Sequence, residues 1–329
     1  MRLRIPKLNK YTVLFAFVIL FIFLEVLIIS PKVLEKPSDE HAEYEKLQAL
    51  ANSKKKDSVE QKMSGFHLVE NSENQKGWEL FATEASGTSD LQWVLKKIRV
   101  QFFSKDDSSF TVTGDVGEID GTSKDLVVRG NVITTSSNGY SFKTDSLRYV
   151  SKLKQMNSDD AVDMQGPPDK KGAGFKLTGQ GLLVDVTLNK MNILSNVEAK
   201  KMIDNKNFDL TSDAAEFSNK NHEALFTGAV KMRLGPSHLE SPRAFFKYSQ
   251  KTKALESILL NQGVRLTEGD KRASSEELQI DLVEDKMTLR GQPRVQQGTD
   301  EIRGHEIVFI DGGKKVKINN VNIKGKPPK

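Results

Sequence analysis

The chain has 329 residues, 28% of them charged, with 49 Lys and Arg against 44 Asp and Glu for a net charge of +5. That surplus is small and interleaved with acidic residues, and no basic face with regularly spaced aromatics accompanies it, which argues against a nucleic-acid partner. With no cysteine, disulfides, thiol catalysis and cysteine-held zinc or iron are excluded together.

The first element is an apolar stretch from Tyr11 to Ile29 carrying one charge, Glu25. At about 1.5 Å rise per residue it is just long enough to span a hydrocarbon core as a helix. Arg2, Arg4, Lys7 and Lys10 precede it, so the positive-inside bias leaves the N-terminus in the cytoplasm and the rest outside the inner membrane. A cleaved signal peptide is the rival, but Ile28-Ile29-Ser30-Pro31 offers no small-residue cleavage pattern. Residues 1–30 are therefore expected to be a cytoplasmic end and a transmembrane helix. Glu25 either snorkels at the interface or meets a polar group on a partner's membrane helix. Residues 31–62 are a charged linker, with HAEYEKLQALA as a possible short helix.

From about Phe66 the sequence repeats. A small or hydroxyl residue is followed by large residues three and five positions on: Thr144 by Leu147 and Tyr149, Gly179 by Leu182 and Val184, Ser212 by Ala215 and Phe217. Ser241 precedes Ala244 and Phe246 in the same way, Ser275 precedes Leu278 and Ile280, and Gly304 precedes Ile307 and Phe309. Weaker copies begin at Ala82 and Gly114, and successive anchors lie 32, 30, 35, 33, 29, 34 and 29 residues apart. Each alternating pair runs into a polar turn, then a second apolar run, then Gly or Asn just before Val, as in RGNV ending at Val132 and FTGAV ending at Val230. Period-two alternation broken by turn residues is the mark of β-strands with two different faces. A repeat of this length calls for a stacked architecture. The expected fold is all-β, an elongated, twisted antiparallel jellyroll of two sheets growing by one unit of about 32 residues per repeat, each unit reading as strand, turn, strand, bend, strand. Its inward residues either fill a closed core or line an open apolar trough.

Two stretches of the repeat region carry a family resemblance. WELFATEA (78–85), LVVRGNV, FKTDSLRY, SDDAV (158–162) and LTGQGLLVD (177–185), in that order behind one membrane helix, resemble the periplasmic lipopolysaccharide-transport family LptC. LTSDAAEFSNKNHEALFTGAV (210–230) and the units after it resemble the OstA-type repeat of the LptA family. The resemblance implies an LptC-like jellyroll over 63–200 and an LptA-like one over 201–329, joined covalently near Lys200 to Asn207. It implies that lipopolysaccharide acyl chains lie between the sheets, touching Leu147, Tyr149, Leu182, Val184, Phe217, Phe246, Ile280, Ile307 and Phe309. It also implies docking to an inner-membrane ABC transporter of the LptB, LptF and LptG kind, and to an LptA-like or LptD-like jellyroll at the C-terminal edge. One repeat looks broken at Pro167-Pro168.

Nothing in the chain suggests an enzyme or a cofactor. The five histidines, His41, His67, His222, His238 and His305, are scattered, and no pair has metal-ligand spacing. Asp159 and Asp160 are adjacent, so in a strand they face opposite ways. The rival functions are a membrane-tethered β-repeat scaffold with a dry core, and a carrier of some other amphiphile.

Overall fold

The computed structural model describes residues 61–72, 75–87, 91–104, 108–167, 174–203, 206–218, 220–252, 254–311, 315–319 and 322–324. The membrane span expected at Tyr11 to Ile29, with Glu25, and the linker helix lie outside these residues. Among the described residues no helix is long and apolar enough to cross a membrane. Residues 60–329 form one compact unit.

Within it, the described residues form 21 strands and one short 3-10 turn at Ser151–Leu153. The strands are β1 (Gln61–Ser72), β2 (Gln75–Gly87), β3 (Gln92–Phe103), β4 (Ser109–Asp120), β5 (Leu126–Ser136), β6 (Ser141–Val150) and β7 (Gln155–Gln165). There follow β8 (Lys176–Asp185), β9 (Lys190–Ile203), β10 (Lys206–Ser212), β11 (Ala214–Ser218), β12 (Glu223–Leu234), β13 (Ser237–Tyr248) and β14 (Leu255–Glu268). The last are β15 (Lys271–Asp281), β16 (Lys286–Arg290), β17 (Arg294–Gln297), β18 (Asp300–Arg303), β19 (Glu306–Ile310), β20 (Lys315–Asn319) and β21 (Asn322–Lys324). Every pairing is antiparallel, and up to β9 each strand pairs with the next, as hairpin turns require.

The strands of ten residues or more are long because they cross a crease near the middle. Register shifts mark it between Thr113 and Val116, Arg129 and Val132, Ser158 and Ala161, Thr227 and Val230, and Asn261 and Val264. From β10 onward some strands break there outright. β10 and β11 both pair with β9 and β12, so they are two halves of one bent strand, and the same holds for β16 with β17 and β18 with β19. The crease folds the single sheet into two leaves whose inner faces share one hydrophobic core. The first leaf holds segments such as 109–113, 132–136, 141–144 and 176–179; the second holds 116–120, 126–129, 146–150 and 181–185.

The repeat anchors are the crease. Thr144, Ser212, Ser241 and Ser275 are buried there, and their hydroxyls are satisfied locally. Ser212 donates to the Ala214 carbonyl at 3.0 Å, Ser241 to the Arg243 carbonyl at 2.6 Å and Ser275 to the Glu277 carbonyl at 2.9 Å. Thr144 shares a 3.0 Å hydrogen bond with Ser158. At Gly179 there is no room for a side chain, since a Cβ would sit 2.3 Å from Cγ2 of Ile193. The neighbouring strand makes the same bend by a bulge in the left-handed region: Gly228 has φ +77° and Ala229 +43°. A Cβ on Gly228 would also collide with Asp213, whose backbone N–H donates to the Gly228 carbonyl at 2.9 Å.

Two expectations need correcting. Each repeat is two long creased strands rather than three short ones, because the small anchor and the Gly or Asn both lie inside strands and only the polar segments turn. The third repeat is bent between Ser158 and Ala161, and Pro167 lies past the end of β7, so the repeat is intact at its crease.

Gly179→Val tests the crease directly. The overpacked side chain is expected to lower unfolding stability by about 1–3 kcal/mol, read as a shift in the urea midpoint at unchanged slope.

Candidate functional site

The sequence-predicted groove residues all reach one surface. Leu147, Tyr149, Leu182, Val184, Phe217, Phe246, Ile280, Ile307 and Phe309 lie on the inner face of the second leaf, because the crease reverses side-chain parity: the anchor faces inward, and so do the third and fifth residues after it. Leu147, Tyr149, Leu182, Val184, Phe246 and Ile307 are buried, whereas Phe217, Ile280 and Phe309 are half-buried.

The opposing wall was not among the predicted residues. On the first leaf, Val112, Phe142, Leu177, Leu210 and Leu239 face inward two positions before their anchors, with Val132, Val162, Val197, Val230 and Val264 beside them on the bulged strands. The signal was present in the sequence. Continuing the alternation backward from each anchor finds the same wall, but only if the parity change at the anchor is known.

The cover over the two walls thins toward the C-terminus. In the N-terminal part Leu80, Met156, Met164 and Leu177 are 0% exposed. From β15 onward Ala273, Ile280, Met287, Ile302 and Phe309 are only half-buried, and Val316 is 44% exposed. The inner surface is thus a closed core at one end and a less evenly covered wall at the other, where Leu278, Leu289 and Ile307 stay buried while Ile280, Met287 and Phe309 are half-buried.

Between these regimes lies a run of aromatic rings. Tyr140 meets Phe175 at 5.9 Å, Phe175 meets Phe217 at 6.2 Å, Phe217 meets Phe226 at 6.0 Å, Phe226 meets Phe246 at 5.1 Å and Phe246 meets Phe208 at 6.3 Å. Tyr140, Phe175 and Phe208 come from the first leaf and the other three from the second, so the run ties the leaves together. Centroid distances of this size are those of favourable edge and offset pairs. Beside it is a cavity of about 80 Å³ with an apolar floor of Phe110, Phe142, Met164, Met191 and Phe217 and a rim that includes Asn138, Lys190, His222 and Glu223. That volume holds several waters but no acyl chain, since one water needs about 10–15 Å³ on this measure.

Charges stay off the inner surface. Burial raises the pKa of Tyr140, and burial with the nearby Glu70 carboxylate raises that of Tyr149, so both phenols stay neutral at any physiological pH. On the outer side of the crease Asp115 lies 2.7 Å from Lys97 and 2.6 Å from Asn131, and these hydrogen bonds hold its carboxyl below the usual range. Among the described residues no three His, Asp or Glu side chains gather as a metal site.

A creased antiparallel sheet whose two leaves face one another across apolar walls defines the class of the fold, an all-β antiparallel sheet of the jellyroll kind. Residues 33–202 match the LptC-related lipopolysaccharide-assembly family, and 209–311 match the LptA and LptD N-terminal lipopolysaccharide-transport family. The chain belongs to the LptC-related family, with the second family's domain following in the same polypeptide. Neither family is enzymatic. No curated protein matches the chain. Among solved structures, LptH, the LptA-homologous periplasmic component of the lipopolysaccharide-transport device of Pseudomonas aeruginosa, aligns over 36% of this chain and 95% of its own, at 16% identity and a TM-score of 0.33.

The uneven cover predicts uneven mutational costs. Phe226→Ala, deep in the aromatic run, is expected to cost about 3–5 kcal/mol, and Phe309→Ala, already half in water, about 1–2 kcal/mol, compared by denaturant unfolding.

Proposed function

We propose that the protein is a periplasmic bridge, anchored in the inner membrane by residues 11–29, that holds lipopolysaccharide acyl chains between its leaves and passes them from an ABC transporter toward the outer membrane. The observation that carries this reading is that two transport domains, usually separate families, follow one another on a single unbroken sheet. The matches end at residue 202 and resume at 209, and β9 pairs with β10 from Ile203 and Lys206 outward. We accordingly place the LptC-like part at 63–200 and the LptA-like part at 201–329, joined by a hairpin where separate chains would meet edge to edge.

The energetics favour such a path. Each acyl CH₂ withdrawn from water is worth about 0.8 kcal/mol, so a chain exposed in an aqueous compartment is held back by far more than thermal energy. A wall that repeats every 29 to 35 residues offers successive sites of similar affinity, and a lipid moves between them without a deep trap. The transporter, of the LptB, LptF and LptG kind, supplies the energy, and the bridge itself need not hydrolyse anything.

Among the described residues the C-terminal edge, β20 with β21, pairs on one side only, with β19 and β18, and exposes Lys315, Val316 and Lys317. It is a candidate for strand addition by an LptA-like or LptD-like jellyroll. Its lysines read equally well as a guard against unwanted pairing.

A dry-core scaffold is the second reading, favoured by the closed N-terminal core and the small cavity. The two separate on one experiment. Phe217 and Phe246 hold the leaves together, so the informative positions are the half-buried Ile280 and Phe309. A photo-crosslinking residue at either, in lipopolysaccharide-producing cells, is expected to form lipopolysaccharide adducts seen as a shifted, antibody-reactive band. Adducts with another lipid would move the reading to a carrier of a different amphiphile, and none with any lipid would leave the scaffold.

A further inference from the structure

The leaves meet at their hairpin tips along the N-terminal part of the unit, and there the contacts are polar. Oε1 of Glu70 accepts from the Ser151 hydroxyl at 3.3 Å and from the Lys154 ammonium at 3.2 Å. The Ser104 hydroxyl donates to the Val186 carbonyl at 3.0 Å, and Nδ2 of Asn189 donates to the Ser108 hydroxyl at 2.8 Å. Glu70, Ser104 and Ser108 belong to first-leaf tips; Ser151, Lys154, Val186 and Asn189 belong to second-leaf tips. Past Asn189 the join becomes the aromatic run, and past β15 the cover thins, with Met287 and Phe309 half-buried beside the buried Leu289 and Ile307.

A seam of hydrogen bonds between loops differs from a packed core in how it opens. Water replaces hydrogen bonds to separated polar tips at little net cost, whereas parted apolar walls stay unsolvated until something apolar fills them. The shut seam also carries its own penalty. Oε2 of Glu70 and Nε1 of Trp78 are buried with no hydrogen-bond partner, and the two residues are cross-strand neighbours at the end of the seam. Orphaned polar atoms favour whichever state lets solvent or a ligand reach them.

We propose that the contacts from Glu70 to Asn189 are a latch: the first-leaf and second-leaf tips part there to admit an acyl chain into the N-terminal half of the trough, then close behind it. This rests on the lipid-carrying reading. It assigns the N-terminal core two states, shut in the absence of lipid and open with it, and leaves the half-buried C-terminal residues Ile280 and Phe309 accessible in both. An incoming amphiphile enters sideways, with its acyl chains between the leaves and its polar part at the seam.

The absence of native cysteine gives a clean test. In the full-length protein, Ser108→Cys with Asn189→Cys allows the latch to be locked by oxidation and released by reduction. Photo-crosslinking residues at Tyr149, behind the latch, and at Phe309, outside it, report lipopolysaccharide in cells. Oxidation is expected to lower the Tyr149 adduct about tenfold, with the Phe309 adduct kept and reduction restoring the first, as for a site reached only through a minor open state. Equal Tyr149 adducts in oxidised and reduced protein overturn the latch, and so does a reduced protein with adducts at Phe309 alone, which still leaves the lipid-carrying reading standing. A reduced protein with adducts at neither position overturns that reading and the latch with it. In case the double variant folds poorly, Asn189→Cys alone serves: position 189 is buried, and lipopolysaccharide micelles are expected to speed its maleimide labelling, whereas an unchanged rate overturns the latch.

Discussion

Everything in this molecule depends on bending long β-strands in the middle without losing their hydrogen bonds. A sheet twists readily but resists a sharp transverse fold, because side chains on the concave side collide and backbone groups lose their partners. Two devices alternate across the sheet to solve this. One strand puts a residue with little or no side chain at the concave corner, such as Gly179 or Ser241, and the serine returns its own hydroxyl to the carbonyl two residues on. Its neighbour takes a bulge with left-handed residues, as at Gly228 and Ala229. Since every strand bends at the same level, the crease runs straight across the sheet and the two leaves face one another along its length.

Facing apolar walls would collapse into an ordinary sandwich core unless something held them apart or they ran out of partners. Both conditions occur in different places. Toward the N-terminus the walls meet fully, around Trp78, Leu80, Phe102 and Met156. Toward the C-terminus the second leaf continues to present Ile280, Met287 and Phe309 with less and less opposite them. A gradient of cover along one continuous wall suits a molecule that hands an apolar cargo onward, because the cargo need never leave the wall to change its surroundings.

The fusion of two transport domains has a physical consequence. An edge-to-edge contact between separate chains forms by strand pairing and depends on their concentrations, whereas the hairpin from Ile203 to Lys206 makes the same neighbours a permanent part of one sheet. The aromatic run reinforces this, since the contact between Phe175 and Phe217 joins a residue of the LptC-related match to one of the LptA-related match.

Much of this was legible in the sequence, and the reason is local. Alternation, turn residues and the spacing of anchors are set by chain geometry within one repeat, so the all-β class, the hairpin turns near residues 151, 189, 219, 249, 284 and 311, and the inward set from Leu147 to Phe309 could be read directly. The anchors were visible too, but their meaning was not. Whether Ser241 starts a strand or bends one depends on the strands on either side, where it pairs with Val230 and lies between the Arg265 and Asn261 pairings. Tertiary structure alone decided the rest: that Val112, Phe142 and Leu177 form the facing wall, that six aromatics from both leaves touch, and that Glu70 reaches Ser151 and Lys154 across the seam. These are contacts between segments as much as 84 residues apart, and a linear pattern carries no information on which tips the twist of a folded sheet brings together.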